Sequence, residues 1–173
     1  QGWQASYEVP VVGEYLGWKV AKTGPWGQGP VLLQALSLLQ GFELGQLDLC
    51  GTEFVHTVCE AMKLAYADRE AYYGDPDYCD VPLGLLLSDK HAANRLSLIG
   101  ERASMEQRPS ILAGYEHLSD GVVERALALV EKEVSEDAGE PTMAHLSEKR
   151  GDTVHLDVID RWGNVISVTP SGG

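Results

Sequence analysis

Thr153 carries the chemistry most worth testing in this chain, because it opens the run Thr153-Val154-His155-Leu156-Asp157-Val158-Ile159-Asp160 directly after a polar stretch ending in Arg150-Gly151-Asp152. Cutting the Asp152–Thr153 bond would make it an N-terminal residue. A free α-amine, whose unperturbed pKa is about 7.7–8.0, can then take the proton from the Thr hydroxyl, so one residue supplies nucleophile and base. The β-propensity of Thr alone also accounts for its place at a strand start, so its neighbours must carry the functional reading.

Those neighbours form a hairpin pattern. Asp160-Arg161-Trp162-Gly163-Asn164 reads as a turn of three loop residues, with Gly163 supplying the left-handed position. If Asp160 faces Asn164, then Ile159 meets Val165, Asp157 meets Ser167, His155 meets Thr169, and Thr153 meets Ser171. Strand alternation then gathers Thr153, His155, Asp157, Ser167, Thr169 and Ser171 on one face. The other face carries Val154, Leu156, Val158, Ile166, Val168 and Pro170, and is expected to be core. A hydroxyl opposite Thr153 is placed to hydrogen-bond its Oγ and orient it. A one-residue slip would undo this arrangement, and Pro170 is a potential disturbance near the ladder's end. His155 lies two residues from Thr153 on the polar face and is read as a structural hydrogen-bonding residue rather than a base.

The elements that must position this hairpin come earlier. Tyr7–Val12 and Gly17–Ala21 are strand candidates, with Gly13 and Gly17 marking turns. The loop 24–30 leads through Pro30 into an apolar, buried helix over 31–39. A second helix runs from Thr52, its expected N-cap, to about Tyr73, with Val55, Val58, Cys59, Met62 and Ala65 as its apolar stripe. Gly74-Asp75-Pro76 ends it. Ser88 is expected to cap a helix from Asp89 to about Ala103, residues 105–119 read as loop, and a further helix starts at Asp120. Glu131, Glu133, Glu136 and Asp137 read as a solvated face. This gives three regions: strands then helices over 1–138, a flexible linker over 139–152, and the hairpin region over 153–173.

Composition limits the alternatives. The 173 residues carry a formal net charge of −13, which excludes sequence-independent binding to nucleic acid or an anionic membrane. No apolar run is long enough to span a bilayer, and no signal peptide is visible. The chain begins at Gln1 and ends at Gly172-Gly173 just after a strand, so it is read as a piece of a longer protein. Cys50, Cys59 and Cys79 lack zinc spacing and are expected to be buried small hydrophobes. Asp68 and Arg69 read as an ion pair or helix-end anchor, and Asp75-Pro76-Asp77 as a turn rather than a cation site. No metal or cofactor is expected.

Two segments, Tyr66-Ala67-Asp68-Arg69-Glu70-Ala71-Tyr72-Tyr73-Gly74-Asp75-Pro76 and Thr153-Val154-His155-Leu156 with Asp160 and Gly163-Asn164, resemble gamma-glutamyltransferase signatures and stand in the family's order. The resemblance runs from about Tyr15 to Gly173. It implies an α/β (α+β) N-terminal-nucleophile hydrolase fold, a four-layer αββα sandwich with helices packed on antiparallel sheet. It also implies one precursor that cuts itself between Asp152 and Thr153 into a large and a small subunit. Thr153 then acts twice: on the Asp152 carbonyl, and afterwards on the γ-glutamyl amide of glutathione or a related small molecule. The acyl group passes to water or an amino acid. Ser171 matches the family's second hydroxyl, usually a Thr, which contacts the nucleophile. Family members often lie in the periplasm or outside the cell, and the resemblance assigns no compartment here.

Ser171-Gly172-Gly173 departs from the family, which continues with a substrate-binding Asn. The family's oxyanion-hole glycines, paired serines and substrate-binding acidic residue lie further on, and its substrate-carboxylate arginine lies earlier. The full protein is therefore expected to be an enzyme and this chain inactive. Two alternatives stay open: an amidase or acylase with the same Thr and another acyl group, or a silent binding or assembly module. A piece of the sandwich should also expose a strand edge and an apolar face, and so either self-associate or leave its ends poorly ordered.

Overall fold

The computed structural model describes residues 4–27, 29–125, 128 and 154–170. Two antiparallel strands open it, β1 (Val11–Tyr15) and β2 (Trp18–Lys22), paired from Val11↔Lys22 to Tyr15↔Trp18. They begin later than the alternation in 7–12 suggests, because the reversal falls at Leu16-Gly17. Both residues have positive φ, 49° and 83°, the pattern of a tight two-residue hairpin. Gly13 lies inside β1 rather than at a turn. A Cβ there would sit 3.1 Å from Leu33 Cδ2, so its bareness lets the strand approach the next helix.

That helix, α1 (Gly29–Leu39), starts with Pro30 in its first turn as expected. Its entry is tight: a Cβ on Gly29 would lie 2.5 Å from the Thr23 carbonyl oxygen. Beyond a 3-10 turn at Leu44–Gln46 comes α2 (Thr52–Tyr72). Gly51 stands at its N-cap with extended backbone, so Thr52 falls inside the helix. Three short helices follow: α3 (Leu83–Leu86), α4 (Asp89–Leu96) and α5 (Glu116–Ser119). Ser88 caps α4 as expected, its Oγ accepting from His91 N at 3.2 Å, but α4 stops at Leu96. Residues 122–125 are helical.

Packing of α1 on α2 makes the core. Leu38 and Leu39 meet Ala61 and Leu64, Val31 and Ala35 meet Ala65, and farther along Tyr72 packs with Leu86 and Leu112. The inner face of α2 is thus Thr57, Glu60, Ala61, Leu64, Ala65, Asp68 and Tyr72. This corrects the expected stripe: Ala65 is buried and Val58 packs against the core, while Val55, Cys59 and Met62 are exposed. The displacement has a physical cause, since two carboxylates occupy the inner face and each brings its own partners.

Asp68 is 1% exposed and receives the Ser110 amide at 2.7 Å, His91 Nε2–H at 2.9 Å and Gln34 Nε2–H at 3.1 Å, with Arg95 Nη2 at 3.4 Å. Burial raises a carboxyl pKa, but the His91, Arg95 and Ser110 contacts outweigh it and hold Asp68 below its ordinary value. Burial, with the nearby Asp68 charge, pushes the Tyr73 phenol upward, so it stays a donor to Gln34 Oε1 and fixes the amide that faces Asp68. Glu60 is held likewise by Lys63, by Arg108 Nη2 at 2.7 Å and by the Ser104 amide at 3.2 Å. Arg69 pairs instead with Glu70 and lies 5.0 Å over the Tyr66 ring. Asp68 is therefore an internal anchor between helices.

The chain divides into two units, Gln1–Ala126 and Leu127–Gly173. In the second, β3 (Leu156–Ile159) and β4 (Val165–Val168) form an antiparallel hairpin. The mixed helical and antiparallel class expected from the sequence is thus observed. The region boundary at 138/139, the linker 139–152 and the acidic face at 131–137 lie outside the described residues. The cysteines correct the sequence reading, because Cys50, Cys59 and Cys79 are all exposed and free. Cys59 faces outward once Glu60 and Ala61 take the inner face of α2.

Asp68→Ala should cost about 3–5 kcal/mol, since it strands His91 and Arg95 in the interior, and denaturant unfolding measures this. The depressed Asp68 pKa contributes stability that is present above the ordinary carboxylate value and is lost as pH falls through the folded-state value. An acid titration of thermal stability should therefore be flatter for Asp68→Asn than for the unaltered chain.

Candidate functional site

The hairpin carries the polar face read from the sequence, and its turn is held by one side chain. Asp160 Oδ1 accepts the amides of Trp162 and Asn164 at 2.8 and 2.9 Å, and Oδ2 accepts Asn164 Nδ2–H at 2.7 Å. These bonds, the Asn164 side chain first, hold the Asp160 carboxyl below its usual range. Gly163 adopts φ 85° and donates to the Asp160 carbonyl at 3.1 Å, the loop geometry anticipated from the sequence. Arg161 stacks over the Trp162 ring at 4.2 Å.

With the turn set, the pairing is Ile159↔Val165, Val158↔Ile166, Asp157↔Ser167 and Leu156↔Val168, the register expected. It continues past the strands proper, because Val154 N donates to the Pro170 carbonyl at 3.0 Å. Pro170 therefore does not break the ladder at its acceptor side. Thr153, Asp152 and Ser171 lie outside the described residues, while Val154 and Pro170 bring the described register to one residue from Thr153 and Ser171.

On the polar face, His155 Nδ1 lies 2.7 Å from Thr169 Oγ1 and Nε2 lies 3.1 Å from the Asp157 carboxylate. The sequence placed these three residues on one face. It did not reveal that one ring joins the other two. The signal was available: a ring between an acceptor-only carboxylate two residues along its own strand and a hydroxyl directly across. The opposite face corrects an expectation. Leu156, Val158, Ile166 and Val168 are 45%, 50%, 55% and 37% exposed, since a two-stranded hairpin has no second layer within itself to cover it.

The buried Asp68 cluster is no rival site. The cavity beside it measures about 10 Å³, bordered by Gln34, Ser37, His91 and Arg95, which is room for one water and not for a substrate. Asp75 Oδ1 accepts the Asp77 amide at 3.0 Å, the turn expected after α2. Among the described residues, no group of three or more His, Cys, Asp or Glu side chains could hold a metal, and no helix is long and apolar enough to cross a membrane.

The family model for gamma-glutamyltranspeptidase matches residues 1–173. The chain belongs to the gamma-glutamyltranspeptidase family. A glutathione hydrolase proenzyme of Bacillus subtilis subsp. natto is 32% identical over 170 residues, covering 98% of this chain and 26% of the relative. The acylase ACY 1 proenzyme of Pseudomonas sp. (strain SE83) is 31% identical over 170 residues, covering 95% of this chain and 24% of the relative. Among solved structures, Helicobacter pylori gamma-glutamyltranspeptidase matches with a TM-score of 0.55 and 32% identity, covering 58% of this chain and 30% of that one. The chain thus spans about a quarter of the length of the curated relatives it matches. Within this family of gamma-glutamyltranspeptidases and related acylases, the hairpin and the Asp68 helix are the two segments that carried the resemblance.

Gly163→Val forces a branched side chain into left-handed backbone and should weaken the hairpin by about 1–2 kcal/mol. Faster amide exchange at Asp160 and Asn164, with that of α2 unchanged, is the expected observation.

Proposed function

We propose that this chain belongs to a gamma-glutamyl hydrolase or acyltransferase that self-cleaves before Thr153 and then uses Thr153 as its nucleophile. One observation supports the reading: the Val154–Pro170 hydrogen bond at 3.0 Å carries the register expected from the sequence to within one residue of Thr153 and Ser171. Strand alternation, continued by one residue, would put those two hydroxyls opposite each other on the face of His155 and Thr169.

In the first reaction Thr153 Oγ attacks the Asp152 carbonyl carbon, a C–O bond forms, and the C–N bond to Thr153 breaks as its nitrogen takes up a proton. Water then opens the ester, leaving an Asp152 carboxyl and a free Thr153 amine. In the second, that amine takes the hydroxyl proton while Oγ attacks a γ-glutamyl amide, releasing the amine product and leaving an acyl ester. Water or an amino-acid amine discharges it. Ser171, across the ladder, orients Oγ by hydrogen bonding. Glutathione-like compounds are the proposed substrates, supported by the glutathione hydrolase proenzyme named above. The acylase proenzyme at nearly equal identity favours one second reading, the same Thr chemistry on a different acyl group.

The 173-residue chain is proposed to be inactive by itself and to self-associate through its exposed apolar hairpin face, so light scattering should find it larger than a monomer. Mass spectrometry of the full-length protein should find two chains meeting at Asp152/Thr153, and Thr153→Ala should leave one uncut chain. Cleavage at that bond in Thr153→Ala would sink the mechanism. Faster turnover of a γ-glutamyl than of a glutaryl amide selects the first reading, and the reverse selects the acylase.

A further inference from the structure

Pro170 creates a specific weakness at the strand end that carries Thr153. The Asp160–Asn164 and Val154–Pro170 hydrogen bonds place the even-numbered pairs of this hairpin at hydrogen-bonded positions, where two residues normally exchange two backbone bonds. Val154 N donates to the Pro170 carbonyl, but Pro170 has no N–H to return. The last described rung therefore has one bond in place of two.

The neighbouring pair is His155 and Thr169. It occupies a non-hydrogen-bonded position, where side chains approach most closely, and here the imidazole meets the hydroxyl at 2.7 Å. The Asp157 carboxylate only accepts, so His155 Nε2–H donates to it at 3.1 Å. The other ring nitrogen, Nδ1, hydrogen-bonds with Thr169 Oγ1 on the facing strand. A chain of hydrogen bonds thus runs from Thr169 through His155 to Asp157, across the strands and along one of them.

We infer that Asp157, His155 and Thr169 form a cross-strand lock that replaces the backbone bond lost at Pro170 and positions Thr153 against Ser171 for self-cleavage. These are positioning residues, and the inference rests on the nucleophile assignment made above. Continuing the described register by one residue would make Thr153 and Ser171 the next non-hydrogen-bonded pair on this face, so splaying at His155–Thr169 would pass directly to them.

Time courses of self-cleavage in the full-length protein test the lock. Thr169→Val keeps the shape and β-branching but loses the hydroxyl, and should slow cleavage about three- to tenfold, the rate equivalent of one lost hydrogen bond. Thr169→Ser loses the methyl but keeps the hydroxyl, and should cleave within about twofold of the unaltered protein. A purely structural role in the strand predicts the opposite order, since Val suits a strand better than Ser. His155→Ala combined with Thr169→Val should be no slower than the slower single variant. Unaltered cleavage in Thr169→Val, equal slowing in Thr169→Ser, or multiplying effects in the double variant would overturn the lock. Thr153→Ala run in parallel separates the two ideas: if it cleaves, the nucleophile assignment fails whatever the Thr169 variants do.

Discussion

The two-residue period of the closing hairpin is the constraint on which the proposed chemistry depends. A side chain on a strand has only two faces available, so fixing one pair fixes every other pair. Asp160 does the fixing, by gathering two backbone amides and the Asn164 side chain around one carboxylate. Four described polar residues, His155, Asp157, Ser167 and Thr169, then share a face without any of them needing to specify its own place. A hydroxyl placed this way depends on a turn several residues away.

The helical unit solves a different problem with similar groups. A half-buried carboxylate such as Asp160 holds a loop at modest solvation cost, whereas Asp68 is taken out of water and is tolerable only with its full set of donors. Gln34 from α1, His91 and Arg95 from α4, and the Ser110 amide converge on it from separate parts of the chain. The small cavity beside them leaves no place for a substrate. Burial of a charged residue in a family signature therefore has a structural account here, and the reactive chemistry is proposed for the exposed hairpin.

Legibility in the sequence followed the range of the interaction. The hairpin's register, the left-handed Gly163, the Ser88 cap and the Pro30 helix start are decided by residues within a few positions of one another, and all were readable. The start of β1 was misread because Leu16 takes a positive φ that its side chain disfavours, so the turn carried a weak local signal. The inner face of α2 was misread for a stronger reason. Hydrophobic periodicity assigns carboxylates to solvent, and nothing near Glu60 or Asp68 announces that Arg108 or Arg95 will arrive to neutralise them. The three exposed cysteines follow from that same rotation or from turns. For the proposed pair, Thr153 and Ser171, the sequence supplied the alternation and the family likeness, and the described ladder reaches their immediate neighbours.

The Asp68 anchor also bears on how the helical unit comes together in time. Its hydrogen bonds to His91, Gln34 and Ser110 close sequence separations of 23, 34 and 42 residues. No local segment can assemble such a set, and a carboxylate buried with only some of its donors is worse off than one left in water. Helices α1 and α2 can therefore meet early through Ala61, Leu64 and Ala65, but the step that draws α4 and the Ser110 segment onto Asp68 has to be concerted. Long-range closure of this kind slows folding and sharpens it. The same residue that welds the finished unit sets a late, all-or-none stage in its assembly.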